Sequence, residues 1–464
     1  MAGPSTALRD ERVDAAPRPA GPSTRDVLVV AAVAIVARLV AAAFLARAPG
    51  GLSDPALYRG FARGIADGRG YVSLLGQPTS YYPPGYPLFL GGLQFVLDRL
   101  GLAGSLPAAA AVVQSFLGGV AAAAVAVAGG RLGAVARLRP SPRAVGVACG
   151  LVLALWPNLV AYGAVLLSET LFVALFAVAL AAVLVADREV RWGLPLAVAA
   201  ASFGAAALVR PQVLLCLPAV VLAWAVARVP WRSVLLGGAV LVVGAVVFVV
   251  PWTVRNAVVL GSAVPISTNG GDNLCIGFRD DASGGFAIAA ACDTGTRYVD
   301  GPQVEVARDR ETQRRALRWI ADHPLELPAL SARKLWITYR DDRDALAAAE
   351  SYGETPRLGA PARRVVGLGL DAAWWAIVAA SVTGAVVLAR SPGRRTVGVV
   401  VVALTTVAGL VVPVLFFGDP RFKMGMAPSV ALLAGVGAGR AWAAWRERTA
   451  EGRQRPVTEA GVRP

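Results

Sequence analysis

The 464-residue sequence has few charged residues. Asp, Glu, Lys and Arg make up 16% of it, whereas hydrophobic residues make up 56%. A soluble protein carries about 25% charged residues, so this composition argues against a set of soluble domains. The sequence instead contains long apolar stretches of about 20 residues, the length that matches the hydrocarbon core of a bilayer.

Histidine and cysteine are also scarce. The single histidine, His323, argues against a histidine-based metal cluster and against a Ser-His-Asp triad. Two of the four cysteines, Cys149 and Cys216, lie in apolar stretches, where a thiol behaves as a small core residue. The other two, Cys275 and Cys292, share one hydrophilic loop, and we predict a disulfide between them if that loop faces an oxidising compartment.

The charge that is present is mostly basic, with 45 Lys and Arg against 30 Asp and Glu. No zinc motif, nucleic-acid motif or phosphate-binding glycine loop accompanies it, so no nucleic-acid partner is expected. The arginines instead cluster in short connections between apolar stretches and in the C-terminal tail, which is typical of cytoplasmic segments. They are Arg131, Arg137, Arg139, Arg143, Arg228, Arg232, Arg390, Arg394, Arg395, Arg446, Arg448, Arg453 and Arg455.

The apolar stretches predict about ten transmembrane helices, and hence an all-α polytopic membrane protein. The predicted spans are residues 27–46, 107–130, 144–161, 165–186, 193–209, 213–227, 233–252, 366–389, 396–417 and 424–442. With both termini in the cytoplasm, every arginine cluster lies on the same side and both long loops lie outside.

This topology divides the chain into five parts. They are a disordered cytoplasmic tail (1–26), a transmembrane module (27–252) with a first outer loop (47–106), an outer loop domain (253–365), C-terminal transmembrane helices (366–446) and a cytoplasmic tail (447–464). The outer loop domain is expected to be small and mixed, with a hairpin turn at Asn269-Gly270 and two amphipathic helices over 304–321 and 325–339. Residues 86–98 are apolar but too short to span, so we interpret them as re-entrant or interfacial.

The first outer loop holds the strongest candidate for chemistry. Asp54 precedes Pro55 at a predicted helix start, so the carboxylate could simply be an N-cap. Further on, the rigid turn Tyr81-Tyr82-Pro83-Pro84-Gly85-Tyr86-Pro87 contains three tyrosines, either as an interfacial aromatic belt or as the wall of a sugar or lipid-headgroup pocket. Two tyrosines of this turn, Tyr82 and Tyr86, and Tyr58 in the helix after Asp54 are candidate site residues.

Further charges fall at the outer ends of the predicted spans. Basic residues there run against the positive-inside trend, and an anionic lipid phosphate would explain them, because arginine offers paired donors to phosphate oxygens. The alternative is that these charges pair with one another, and Glu169 could also act through the helix dipole. The candidates for phosphate binding are Arg210, Arg255, Arg421 and Lys423; the other candidate site residues are Glu169 and Asp419.

Several motifs, in this order along the chain, resemble the GT-C membrane glycosyltransferases, and most of all glycosyltransferase family 39, the group of the protein mannosyltransferases and aminoarabinose transferases. The residues that carry the resemblance are Asp54, Tyr58, Gly68-Arg69-Gly70-Tyr71, Pro78-Thr79, Tyr82-Pro83-Pro84-Gly85-Tyr86-Pro87, Leu167-Ser168-Glu169-Thr170-Leu171-Phe172, Val209-Arg210-Pro211, Pro251-Trp252-Thr253-Val254-Arg255-Asn256, Ser267-Thr268-Asn269-Gly270-Gly271-Asp272-Asn273-Leu274 and Gly418-Asp419-Pro420-Arg421-Phe422. The resemblance runs from about residue 27 to residue 440.

The resemblance implies sugar transfer from a polyprenyl-phosphate donor, with Asp54 as the catalytic residue. We expect an inverting reaction on the extracytoplasmic face of the cell membrane, with membrane lipids around the protein and a glycan, lipid or protein as acceptor. Asp54 could also bind a divalent metal. The alternative is a lipid or polysaccharide transporter or flippase, which needs charges near the midplane, where only Arg38 lies.

Overall fold

The chain folds into helices joined by short connections and two long loops. In this computed structural model the structure describes residues 21–186, 193–287, 292–295 and 301–454, with side chains described as far as residue 450. In chain order the α-helices are α1 Thr24–Leu45, α2 Asp54–Ala66, α3 Gly85–Arg99, α4 Leu106–Val135, α5 Pro142–Leu155, α6 Pro157–Tyr162, α7 Glu169–Ala186, α8 Leu194–Val209, α9 Cys216–Val226, α10 Trp231–Leu260, α11 Gly270–Gly277, α12 Pro302–Asp322, α13 Leu327–Tyr339, α14 Asp344–Ala349, α15 Ala360–Arg390, α16 Val397–Leu415 and α17 Ala427–Gln454.

Among the described residues, seven helical segments are long and apolar enough to cross a membrane. They contain α1, α4, α7, α10, α15, α16 and α17. Three shorter apolar helices, at Pro142–Leu155, Leu194–Val209 and Pro211–Val226, take the places of the other predicted spans. The prediction of an all-α polytopic membrane protein with about ten such helices is confirmed, and no β-strand forms within the described ranges.

Small residues allow the central helices to approach closely. Helix α4 packs against α1, α5 and α7, while α17 packs against α5 and α15, and α8 against α7 and α10. A Cβ added at Gly146 of α5 would lie 2.6 Å from the Ala126 carbonyl oxygen of α4. Van der Waals packing of such small residues is the usual basis of helix association in a bilayer, where water supplies no hydrophobic drive between helices.

Arg38 lies near the middle of α1 and is buried. Its guanidinium donates to the carbonyl oxygens of Ala154 at 3.0 Å, Ala34 at 3.2 Å and Leu153 at 3.4 Å. Two of these carbonyls belong to the last turn of α5, where a helix leaves its carbonyls without intrahelical partners. Arg38 therefore serves helix packing and gives no support to the transporter alternative.

The first outer loop folds into two helices that pack on each other, α2 and α3. Phe61 of α2 is buried, and Leu57 and Ile65 pack against the same core, as their four-residue spacing predicts. Helix α3 has 15 residues and covers the apolar segment that was too short to span. This arrangement fixes the start of α2, where Asp54 lies, against the membrane helices.

The long loop after α10 is helical in its described part. The two predicted amphipathic helices are confirmed as α12 and α13, and Trp319 and Leu330 share a small apolar core between them. The predicted hairpin turn is wrong, because Asn269 is the N-cap of α11, which begins at Gly270. The sulfur atoms of Cys275 and Cys292 are joined in a disulfide.

Candidate active site

Asp54 is the first residue of α2, and Ser53 holds the N-cap position. Its carboxylate accepts a hydrogen bond from the Tyr82 hydroxyl at 2.8 Å on Oδ1 and from Arg421 Nη1 at 2.5 Å on Oδ2. Both oxygens therefore point toward side chains from other parts of the chain. The interpretation of Asp54 as a simple N-cap does not account for these contacts, and Ser53 holds the N-cap position instead.

Arg421 links two carboxylates. It lies in a 3₁₀ segment, Pro420–Met426, in the connection between α16 and α17. Its Nε donates to Glu169 Oε1 at 2.8 Å, while its Nη1 holds Asp54. Asp419 fixes the backbone at this point, because its Oδ1 accepts from the Arg421 amide at 2.8 Å. The first outer loop, the start of α7 and the α16–α17 connection therefore meet at one guanidinium.

Arg210 approaches the same glutamate from the end of α8. It forms an ion pair with Glu169 Oε1, and its Nε donates to Ser168 Oγ at 3.0 Å. Glu169 is fully buried, yet its second oxygen, Oε2, has no hydrogen-bond partner among the described residues. In this resting arrangement the charges pair with one another, which was the alternative to phosphate binding.

The rings of the three candidate tyrosines pack against one another next to Asp54. The ring of Tyr58 lies 5.2 Å from that of Tyr82 and 5.1 Å from that of Tyr86, centroid to centroid. Only Tyr82 reaches the carboxylate. Tyr86 is fully buried and donates to Gln114 Oε1 at 2.9 Å, so it packs behind the site.

Arg255 lies outside this cluster. Its guanidinium donates to the carbonyl oxygens of Thr79 at 2.7 Å and Tyr71 at 2.9 Å, and it stacks over the Trp252 ring at 4.7 Å. These contacts tie the end of α10 to the first outer loop. Binding of a phosphate by Arg255 stays a prediction, and it would use N–H groups of the guanidinium that these carbonyls do not accept.

Lys423 also has other partners. Its side chain is fully buried, forms an ion pair with Asp342 at 3.0 Å and lies over the Trp374 ring at 4.6 Å. Two further donors, Trp156 Nε1 at 2.7 Å and Asn158 Nδ2 at 2.8 Å, hold the same aspartate. The structure thus brings Arg210 and Arg421 together and places Arg255 and Lys423 in separate polar networks.

Asp344 is not marked by any pattern in the sequence, and the structure places it next to the cluster. Its Oδ2 accepts from the Tyr162 hydroxyl at 2.7 Å. Burial raises the pKa of Asp344 to about 7; the charge of Asp419 adds to this effect and that of Arg421 opposes it. The signal in the sequence was weak, because Asp344 belongs to a charged run from Arg340 with no apolar period.

A metal at this site remains a sequence prediction. In the part of the chain that the structure describes, no three His, Cys, Asp or Glu side chains form a group suited to a metal ion. Each Asp54 oxygen already accepts one hydrogen bond, so a metal on this carboxylate would have to use the remaining lone pairs beside Arg421 and Tyr82. The unpartnered Oε2 of Glu169 is a further oxygen of the kind that divalent cations bind.

Lys334 is a buried amine beneath the turn at Gly418. Its Nζ lies 3.3 Å from the centroid of the Phe278 ring and 3.4 Å from the Val414 carbonyl oxygen, and no described carboxylate forms an ion pair with it. Burial lowers the pKa of Lys334 to about 7. Above pH 7 the neutral amine is therefore favoured in the folded protein, whereas the unfolded chain keeps it protonated up to its usual pKa of about 10.4.

This difference predicts how stability changes with pH. Between about pH 7 and pH 10.4 the unfolded state binds more protons at Lys334, so its contribution to folding becomes more favourable as the pH rises. Lys334→Met should remove this slope and raise the melting temperature at pH 7. Thermal unfolding of purified protein across this pH range measures both effects. An unchanged slope would contradict the assignment, and Arg333→Met, on the exposed side of α13, is the matched control.

The fold of the whole chain is shared with solved structures of other proteins. Over 95% of its length the chain superposes on the archaeal oligosaccharyltransferase AglB of Archaeoglobus fulgidus in complex with an inhibitory peptide and a dolichol-phosphate, with a TM-score of 0.50 and 14% identity, covering 52% of that chain. A second structure of an Archaeoglobus fulgidus oligosaccharyltransferase, with Zn and sulfate, gives a TM-score of 0.50 and 14% identity, covering 92% of this chain and 50% of that one. The chain thus spans about half the length of these neighbours.

A third neighbour is ArnT of Cupriavidus metallidurans bound to undecaprenyl phosphate, with a TM-score of 0.41, 17% identity and coverage of 90% of this chain and 78% of that one. No family model and no curated protein sequence matches the chain. The chain shares the fold of these two archaeal oligosaccharyltransferases, as the first two superpositions show, and this is the fold expected for the GT-C class. Its assignment to family 39 within that class stays a prediction.

Proposed function

We propose that this protein is a membrane glycosyltransferase that moves a sugar from a polyprenyl-phosphate donor to an acceptor hydroxyl. The observation that carries the proposal is the contact between Asp54 and Arg421, which are 367 residues apart in the sequence. A carboxylate and two arginines meet here at the ends of apolar helices, where a lipid phosphate and its sugar can approach. The dolichol-phosphate in the AglB structure is a lipid of the proposed donor class.

The proposed active site faces the extracytoplasmic side. It lies at the start of α7 and the end of α8, and the 3₁₀ segment of Arg421 joins the end of α16 to the start of α17. The opposite ends of α4, α9 and α15 lead into connections rich in arginine, which favours the cytoplasmic side for those ends. A lipid-linked donor suits this location, because no nucleotide-sugar pool is present there.

Asp54 acts as the base in this mechanism. Burial alone would raise the pKa of Asp54, but the charge and hydrogen bond of Arg421 outweigh it and hold the pKa below the usual range. The carboxylate is therefore ionised at neutral pH. It takes the proton of the acceptor hydroxyl, whose oxygen attacks the anomeric carbon from the side opposite the phosphate.

The departing group is a phosphate that carries negative charge. As the new bond to the acceptor oxygen forms, the bond from the anomeric carbon to the phosphate oxygen breaks, and the polyprenyl phosphate leaves with the electron pair. This in-line displacement inverts the anomeric centre. Arg421 and Arg210 stabilise the phosphate through the N–H groups that their carboxylate partners do not use. No separate general acid is needed for such a leaving group.

The test is direct sugar transfer. Purified protein in lipid vesicles is given radiolabelled sugars on polyprenyl phosphate, with an extract of glycans, lipids and proteins as acceptors. The expected result is a labelled product of inverted anomeric configuration, as determined by NMR, and release of polyprenyl phosphate. Product of retained configuration would contradict the mechanism. Transfer from nucleotide sugars alone would contradict the donor class.

A further inference from the structure

A polar cavity lies where three connections meet, those between α4 and α5, α9 and α10, and α15 and α16. Its volume is about 410 Å³. Three arginines line it, one from each connection: Arg137, Arg228 and Arg395. The remaining lining residues are small or apolar; they are Val135, Ala227, Val229, Pro392, Gly393, Thr396 and Val397. In the sequence these arginines are explained as markers of the cytoplasmic side of the membrane. That explanation does not account for the fact that all three line one cavity.

None of the three arginines forms an ion pair with an acidic side chain in the described ranges. In the proposed active site, by contrast, both arginines hold carboxylates. Three like charges around one cavity repel each other, and a bound anion would relieve that repulsion. Phosphate suits them, because a guanidinium offers paired N–H donors that match phosphate oxygens.

Two of the arginines occupy backbone positions that favour glycine. Arg137 has φ +52° and Arg228 has φ +59°. Each follows a helix that ends in a Schellman motif, with the Leu138 amide donating to Gly133 O at 3.0 Å and the Val229 amide to Trp224 O at 3.0 Å. Arginine has a steric cost at such a position that glycine does not have. A favourable dipole interaction is available anywhere in the last turn of a helix, so it does not require this position.

Part of the cavity lining is closely packed against α4. Gly393 packs so tightly on the end of α4 that an added Cβ would lie 2.2 Å from the Val135 carbonyl oxygen. Thr396 Oγ1 donates to the Gly393 carbonyl oxygen at 2.8 Å, so this hydroxyl does not cap α16, which begins at Val397 in the cavity wall. The free amides of the first turn of α16 add positive potential to that of the arginines.

The cavity lies at the membrane face opposite the proposed active site. Helix α16 runs from this cavity at Val397 to Leu415, close to Asp419, and its 19 residues have a length of about 28 Å. That length is close to the thickness of the hydrocarbon core, so the cavity lies at the depth of the lipid headgroups. Basic pockets between membrane helices at this depth bind anionic lipid headgroups.

We propose that this cavity binds a phosphate group, supplied by the headgroup of an anionic phospholipid, through Arg137, Arg228 and Arg395. The site is separate from the proposed transferase chemistry and does not depend on it. The shared chemistry is that of phosphate, so inorganic phosphate is the second source that the experiment must distinguish.

Native mass spectrometry of the detergent-purified full-length protein, titrated with phosphatidylglycerol, tests the proposal. The Arg137→Gln/Arg228→Gln/Arg395→Gln variant should raise the Kd by about fivefold for each arginine, roughly 100-fold in all. The control is Arg139→Gln/Arg232→Gln/Arg394→Gln, which removes the same charge from exposed arginines outside the cavity. Equal losses of binding in the two triple variants would show a general charge effect and overturn the proposal.

A glycine variant separates binding from helix termination. Arg137→Gly/Arg228→Gly relieves the left-handed strain, so the lipid-free protein should melt at a higher temperature while its Kd for phosphatidylglycerol rises. Unchanged affinity in this variant would overturn the binding role. Competition by excess inorganic phosphate would show that the phosphate group alone is recognised, whereas binding that resists it would assign the site to the intact lipid headgroup.

Discussion

Asp54→Asn should lower the rate of sugar transfer by roughly two to four orders of magnitude, the usual contribution of a general base. Asparagine can still accept the hydrogen bond of the Tyr82 hydroxyl, but it cannot take a proton from the acceptor. Arg421 keeps its second partner, Glu169, so the variant should remain folded. The measurements are the initial rate of transfer, the affinity for polyprenyl phosphate and the melting temperature.

The control for this variant is Asp67→Asn, at the other end of α2. Asp67 is exposed and pairs with Arg63 at 3.3 Å and Arg69 at 3.0 Å, away from the cluster. The Asp67→Asn variant should transfer sugar at the wild-type rate. Normal transfer by Asp54→Asn would remove Asp54 from the mechanism and leave Glu169 and Asp419 as candidates. Loss of activity together with loss of folded protein would assign Asp54 to structure instead.

The rate of sugar transfer should also fall at acid pH, because protonation of Asp54 removes the base. The base must be ionised, and its proton-accepting form is lost as the pH falls through its folded-state pKa, which Arg421 holds below the usual range.

The sequence was sufficient to predict which charges lie at the same membrane face. Glu169 begins an apolar helix and Arg210 ends one, while Arg421 lies between two others, so topology alone puts them at one end of the bundle. Asp54 joins them because the loop after α1 begins at that end. Helix length and hydropathy carry this information, since the bilayer fixes both.

Which charges touch could not be predicted in the same way. Arg255 and Arg210 carry the same signal in the sequence, yet Arg255 donates to two backbone carbonyls whose position depends on the packing of the first outer loop. Lys423 lies two residues after Arg421, and a 3₁₀ segment turns it toward Asp342. Asp344 belongs to a six-residue helix in a long loop, where neither apolar period nor span boundary marks it.

Arg421→Gln should have a second large effect, on both stability and activity. Arg421 is 16% exposed and pairs with two carboxylates, of which Glu169 is fully buried. Removing one partner of a buried ion pair costs about 3–5 kcal/mol, because the remaining charge is left uncompensated in a medium of low polarity. The remaining pair of Arg210 and Glu169 offsets part of this cost. Sugar transfer should also fall, because the departing phosphate loses a charged donor.

A double variant distinguishes the two roles of Arg421. In Arg421→Gln/Glu169→Gln one positive and one negative charge are removed, so the opposite charges of Arg210 and Asp54 balance each other at the site. The free energy of unfolding should therefore recover in part, although Arg210 and Asp54 each lose a direct partner. Transfer should stay low, because the substituted glutamine amide offers the phosphate no positive charge. Arg440→Gln on α17 is the control. Arg440 is exposed and lies 3.9 Å from Glu447, and such a surface ion pair contributes little to the free energy of unfolding. Chemical unfolding and the transfer assay are run on all variants. If transfer recovers together with stability in the double variant, Arg421 serves only to balance Glu169, and stabilisation of the leaving phosphate falls to Arg210.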